Sequence, residues 1–208
     1  VPRREIVILK SDYVRGNSTF YSKKVGKKTP EFFCPITFLK MEIVDNFLEE
    51  EHFELLHRIV LSTYFTWNYM GKQSYVETED SFQFQHTFYR EGQLPSGYNA
   101  IIGPILEKLG GTLIRAKAVL TPKTENPRHS GFHIDYANMK TATYYLNSNN
   151  GYTGFRDGSR VESVSNRMLV FDSNLEHEGV TCTDKKRRVL INFNINNIWT
   201  LNSGIQKI

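Results

Sequence analysis

The sequence holds only two cysteines in 208 residues, Cys34 and Cys182, far apart and neither in a Cys-x-x-Cys pair. A multi-disulfide scaffold is therefore excluded, and a single Cys34–Cys182 disulfide is the less favoured alternative to free thiols. Two reduced thiols in a reducing compartment are expected, and with them a cytoplasmic location. Long hydrophobic runs are also missing. No stretch approaches the ~20 apolar residues of a membrane span. The opening Val1-Pro2-Arg3-Arg4-Glu5 has no apolar run behind its charges, so neither a secretory leader nor a membrane partner is expected. Glycine (14) and proline (7) are too few for collagen, and 39% hydrophobic with 23% charged residues excludes wholesale disorder and coiled coil. Charge of one sign is scarce as well. The net +4, from 26 basic and 22 acidic residues, permits a nucleic-acid partner without demanding one. Its excess sits in two runs, Lys23–Lys28 and Lys185–Arg188, which read as solvated loops or hairpin tips.

What the chain has is length for one domain with a real core. It is also rich in aromatics, with 11 Tyr and 14 Phe, which suits pleated surfaces. Residues 1–40 open with a strand-like run, Glu5–Leu9, followed by a polar basic stretch that reads as an extension or flap. Residues 41–208 read as a single domain. Phe53, Leu56 and Val60, widened by Leu55 and Ile59, predict a helix over about 47–62, with Glu49, Glu50 and Glu51 at its positive end. Ile101, Ile102, Ile105, Leu106 and Leu109 predict a second helix over about 96–109, capped by Ser96 and stopped by Gly110-Gly111. Between them, the aromatic run Tyr64–Tyr69 reads as core packing under a loop. Phe82, Phe84, His86 and Phe88 alternate as a half-buried strand, which makes His86 a core histidine rather than a ligand.

From Thr112 the texture changes to short strands: Thr112–Leu120, Thr141–Leu146, Tyr152–Phe155, Arg160–Val164, Arg167–Phe171 and Arg188–Ile195. Turn residues such as Asp157-Gly158 separate them. The expected fold class is α+β, mainly β: helices first, then a sandwich or barrel that they buttress.

Three side chains in the β-rich half suggest a metal. In Gly131-Phe132-His133-Ile134-Asp135, an extended backbone would point His133 and Asp135 the same way. His177 follows a strand and a turn. Two imidazoles and one carboxylate make a facial set that leaves positions open and suits non-haem Fe(II). His-x-Asp spacing alone is weak evidence. His52-Phe53-Glu54 has the same spacing, but on a helix, where such residues diverge, so His52 reads as a surface residue. Further on, Arg188, Leu190, Asn192 and Asn194 share one strand face. If that face is interior, Arg188 is a buried cation in need of an anion, and a small-molecule carboxylate would satisfy its fork. An outward Arg188 is the other reading of the same strand.

The stretches Gly131–Asp135, Thr143-Tyr144-Tyr145-Leu146-Asn147, Gly151–Phe155, Asn166–Phe171, His177–Val180 and Arg188–Asn192 occur in order. As a set they resemble the catalytic core of the Fe(II)/2-oxoglutarate-dependent oxygenases, closest to the prolyl 4-hydroxylase-like branch. The resemblance implies a double-stranded β-helix, or jelly roll, with His133, Asp135 and His177 as iron ligands. It further implies Arg188 on the distal carboxylate of 2-oxoglutarate, with Tyr144 and Asn192 reaching the same cosubstrate. Implied cofactors are Fe(II), 2-oxoglutarate and O2, with ascorbate in addition. The implied activity is hydroxylation with release of succinate and CO2, on a peptide or protein prolyl residue or on a small molecule. An arginine at the carboxylate position points away from collagen-type substrates. Zinc in the same ligands, a non-catalytic metal-binding jelly roll and an alkylated nucleic-acid substrate are the rival expectations. Nucleic acid is disfavoured because aromatic platforms do not interleave with the basic runs. Substrate choice is expected in Tyr64–Tyr75, Thr121–Ser130 and the tail near Trp199.

Overall fold

A computed structural model describes residues 4–9, 39–71 and 81–196. Cys34, the Lys23–Lys28 run and the rest of the polar stretch over 10–38, Tyr75 and Trp199 lie outside the described residues.

Among the described residues, eleven strands and two α-helices follow in chain order. The strands are β1 (Arg4–Leu9), β2 (Leu39–Val44), β3 (Asn68–Met70), β4 (Gln83–Arg90), β5 (Thr112–Pro122), β6 (Lys140–Tyr145), β7 (Tyr152–Phe155), β8 (Arg160–Glu162), β9 (Arg167–Asp172), β10 (His177–Val180) and β11 (Arg187–Asn196). Helix α1 (Glu50–Val60) lies between β2 and β3. Helix α2 (Gly103–Leu109), led by a 3-10 turn over Asn99–Ile102, lies between β4 and β5. An eight-stranded sheet runs β1-β2-β9-β6-β11-β5-β4-β3, and a three-stranded sheet runs β10-β7-β8. All the pairings are antiparallel.

Alternation along the central strands splits the large sheet into two faces. Ala142, Tyr144, Met168, Val170, Val189, Ile191 and Phe193 face the helices, where Phe53, Leu56, Val60, Ile105 and Leu109 complete the main core. Tyr145, Leu169, Phe171 and Leu190 face the small sheet and pack with its Phe155 and Val161. The result is helices on one face of the large sheet and a second sheet on the other, a mainly β jelly roll buttressed by helices.

The helix stripe is narrower than expected. Phe53, Leu56 and Val60 are buried, but Leu55 is exposed, because one face of an isolated surface helix meets the sheet. The second helix is shorter than 96–109. Ser96 does not cap α2, since its hydroxyl bonds the Tyr98 N–H and His86. The C-terminal stop is as expected, with Gly110 at φ 64 closing on the Leu106 carbonyl. The Tyr64–Tyr69 run divides. Phe65 is buried against His86 and Tyr98, while Tyr64 and Tyr69 are exposed. His52 is exposed. Cys182 is a buried free thiol.

Candidate metal and carboxylate site

The site lies between the sheets, on the face away from the helices. Its first part is a loop made rigid by backbone pairing. Ser130 N–H donates to the Gly179 carbonyl, and Gly131 turns with φ 80, a conformation glycine adopts freely. His133 then pairs with His177, the first residue of β10. Before β10, Asp172 accepts the Asn174 and Leu175 N–H groups, through side chain and backbone respectively, in a tight turn. That turn delivers His177 opposite His133.

His133, Asp135 and His177 offer ligand atoms that all lie within 4.8 Å of one another. Each imidazole donates its Nδ1–H to the carbonyl two residues before it: His133 to Gly131 at 3.0 Å and His177 to Leu175 at 3.1 Å. A carbonyl can only accept, so the proton is fixed on Nδ1 and the Nε2 lone pair is left for a metal. Both Nε2 atoms stand 4.0 Å from an Asp135 oxygen. Burial pulls His177 down to about 4, with His133 adding to the fall and the Asp135 charge opposing it. His177 is thus neutral near pH 7, the form that ligates.

Asp135 is held from the other side. Asn192 and Asn194 donate to its Oδ2 at 2.9 and 3.2 Å, and Arg115 Nη2 lies 2.8 Å from its Oδ1. Burial works against its ionisation. The charges of Arg115, Lys117 and His177 and the Asn194 hydrogen bond outweigh that and hold the carboxyl well below the usual range. Two imidazole nitrogens and one carboxylate on one side of a cavity fit a divalent metal with open positions.

At the other end of the same cavity sits Arg188. It is 4% exposed, and burial lowers its proton affinity, against the pull of Tyr145 and Cys182. Its Nε donates to Ser163 Oγ at 2.8 Å and its Nη2 to Thr153 Oγ1 at 3.1 Å, and its guanidinium lies over the Tyr145 ring. Among the described residues no carboxylate pairs with it. Thr121, its direct cross-strand partner on β5, has a buried hydroxyl without a hydrogen-bond partner. Donor groups without an anion at one end, and a ligand set at the other, are what a diacid that chelates a metal requires.

Two expected roles change. Tyr144 does not reach this cavity. It lies in the helix-side core, its hydroxyl donating to Asn166 Oδ1 at 2.7 Å. The register pairs Thr143 with Asn192 and Tyr145 with Leu190, so odd positions of β6 face the site and Tyr145 is the tyrosine beside Arg188. Asn192 does line the cavity, and the contact it makes is to the candidate ligand Asp135. The sequence reading missed Arg115, Lys117, Thr153 and Ser163, and it placed Thr121 only at the start of a segment expected to govern substrate choice. Arg115 and Lys117 alternate with Ala116 and Ala118, a pattern that marks a polar strand face without saying whether it meets solvent or a cavity. The Lys185–Arg188 run is split: Lys185 and Lys186 are exposed and Arg188 is interior.

No family model and no curated protein matches the chain. Among solved structures, it is similar to a 2OG-Fe(II) oxygenase family oxidoreductase from Burkholderia pseudomallei. The identity is 12%, the TM-score is 0.51, and the match covers 71% of this chain and 81% of the other. This chain has that fold. A prolyl-4-hydroxylase from Pseudomonas putida is also similar, at 17% identity and TM-score 0.48, over 76% of this chain and 92% of the other. Likeness at this identity concerns architecture, and the chemistry has to be argued from the site. Among the described residues no helix is long and apolar enough to cross a membrane.

Proposed function

We propose that this protein is an Fe(II)- and 2-oxoglutarate-dependent dioxygenase, located in the cytoplasm, that hydroxylates an unactivated C–H bond. The reading is carried by one observation: a buried guanidinium without a carboxylate partner shares a cavity with a His/Asp/His ligand set. In the reaction R–H, O2 and 2-oxoglutarate become R–OH, succinate and CO2, with one oxygen atom going to each organic product. Bound Fe(II) supplies the activation of O2 and the oxidative decarboxylation of the oxo acid. His133, Asp135 and His177 would hold the ion. Asn192 and Asn194 orient the carboxylate, and the two backbone carbonyls fix the imidazole tautomers. Arg188, with Thr121 opposite it, binds the distal carboxylate. Leu190 and Val119 line the path between the two ends and exclude water from it.

The primary substrate in this proposal is a prolyl residue in a peptide or protein. A free amino acid or small metabolite is the second reading, favoured by the additional cation Lys117 in the cavity wall. Fe(II) and air, with ascorbate to keep the metal reduced, should give succinate from 2-oxoglutarate even without primary substrate. A peptide or amino-acid panel should yield a product heavier by about 16 Da only when 2-oxoglutarate is present. Absence of succinate from metal-loaded protein would leave a metal-binding jelly roll without turnover.

A further inference from the structure

We infer that Lys117 anchors a carboxylate of the primary substrate, forming a second anion site at the metal end of the cavity. The inference rests on the functional reading above and adds the charge class of the molecule that is hydroxylated. Lys117 stands on β5 opposite Asn192 on β11 and Thr87 on β4. It lines the cavity together with His133, Asp135 and His177. Among the described residues, no ion pair or hydrogen bond engages its ammonium.

The charges around it are unbalanced. Arg115 lies two residues away on the same strand face, and Arg90 pairs with Arg115 across β4. The acids nearby are committed elsewhere. Asp135 meets Arg115 and would be shared with the metal. Glu178 also lines the cavity, but its carboxylate is engaged by His129 Nδ1 at 2.7 Å. Glu91 is exposed and accepts the Tyr136 hydroxyl at 3.0 Å. Adding a divalent metal and a dianionic oxo acid does not restore balance. The distal carboxylate neutralises Arg188. The proximal carboxylate and Asp135 together neutralise the metal. Arg115 then has only its share of Asp135, and Lys117 is left without a counter-ion, in a site where uncompensated charge is costly.

The oxo acid cannot supply the missing charge. Arg188 and Asn192 are four residues apart on one strand, roughly 13 Å along it, and Lys117 sits at the Asn192 end. Both charges of the diacid are already assigned, to Arg188 and to the metal. The remaining anion must belong to the other reactant. A carboxylate is the group that an ammonium beside a metal-bound reaction centre can hold without displacing a protein ligand. It would come from a free or terminal amino acid, or from an acidic side chain next to the reacting residue.

The test uses the full chain loaded with Mn(II) and N-oxalylglycine, an inert analogue of 2-oxoglutarate, and titrates acetate by calorimetry. Wild type should bind acetate saturably. Lys117→Met should weaken that binding at least tenfold, and Lys117→Arg should stay within about threefold. Thermal melts verify that each variant is folded. Affinity for N-oxalylglycine should change less than threefold in Lys117→Met. Competition by N-acetylproline would mark a terminal carboxylate as the source, and competition by acetyl-Pro-Glu-amide an acidic side chain. Acetate binding that is absent in wild type, or indifferent to Lys117→Met, overturns the inference. So does a tenfold loss of N-oxalylglycine affinity in that variant, which would assign Lys117 to the cosubstrate. If wild type takes up neither Mn(II) nor N-oxalylglycine, the functional reading fails and this inference falls with it. Loading without Lys117-dependent acetate overturns this inference alone.

Discussion

His133 and His177 are the two partners of a single antiparallel bridge: each donates its backbone N–H to the other's carbonyl at 2.9 Å, and their rings lie 4.6 Å apart, centroid to centroid. The spacing of the two candidate nitrogen ligands is therefore set by main-chain pairing, and the loop side chains have no part in it. A ligand pair built this way is preorganised before any metal arrives. It also separates the chemistry of the imidazoles from the integrity of the fold, because the bridge uses no side-chain atom.

That separation gives the first prediction. His133→Ala should keep the β-rich circular dichroism of the parent and lose metal affinity by at least about 100-fold, more than loss of an outer-shell partner costs. Asp135→Ala should lose it too. Co(II) titration followed by absorption reads the affinity directly. A folded His133→Ala protein that still forms succinate at the parental rate would remove this histidine from the metal site.

Arg188 supplies a second prediction. Its guanidinium is buried on two hydroxyls and a ring, with no carboxylate paired to it among the described residues. Arg188→Met should leave apo stability unchanged or raised, because an unpaired buried cation is replaced by an apolar chain of similar length. It should weaken 2-oxoglutarate binding by roughly 30-fold or more, the range for losing one partner of a buried charge pair. Calorimetry on the Mn(II)-loaded protein tests this, and an unchanged affinity would mean that another group holds the distal carboxylate.

Much of this site was legible in sequence because strand periodicity is strict. The face Arg188-Leu190-Asn192-Asn194 follows from alternation alone, and it is interior as one of its two readings required. Tyr144 shows where that logic runs out. In Thr143-Tyr144-Tyr145 two identical side chains occupy both parities, and only the pairing of β6 with β11 tells which faces the cavity. Lys117 was illegible for a related reason. A lysine alternating with alanines on a strand normally meets solvent, and what encloses it here is the small sheet, a tertiary event. The helices were legible as elements and not in their ends, since Ser96 bonds His86 Nε2 at 2.6 Å instead of capping α2.

Gly151 leads to a third prediction. A Cβ there would stand 2.8 Å from Arg188 Cδ, from Asn149 Oδ1 and from the Val180 carbonyl oxygen. The carbonyl belongs to β10 and cannot yield without disturbing the strand that carries His177. Gly151→Ala should cost about 1–3 kcal/mol, read as a lowered melting temperature, and should weaken 2-oxoglutarate binding by displacing Arg188. Gly97→Ala, where nothing lies within 4 Å, is the control and should be close to neutral. Equal behaviour of the two variants would show that the Arg188 cradle is not tightly packed.

Lys117 gives the last prediction, through stability. Burial, the adjacent Arg115 and Arg90 pull its ammonium down to about 8, against the attraction of Asp135. In the unfolded chain a lysine titrates at about 10.4. Between these values the unfolded state binds more protons, so stability should rise with pH across that window. Below about 8 the ammonium is charged in both states and the whole cost of burying it is present. Lys117→Met removes that cost. The variant should be more stable than wild type at pH 7, by at most on the order of 3 kcal/mol because the lysine keeps some contact with solvent. Its advantage should shrink from about pH 8 upward and be gone above about 10.4. Melting curves of both proteins over that range decide it. An advantage that does not vary with pH would mean that packing, and not charge, separates the two. A lysine that costs stability at neutral pH is one the fold does not need, which leaves its anion to be supplied by what the cavity binds.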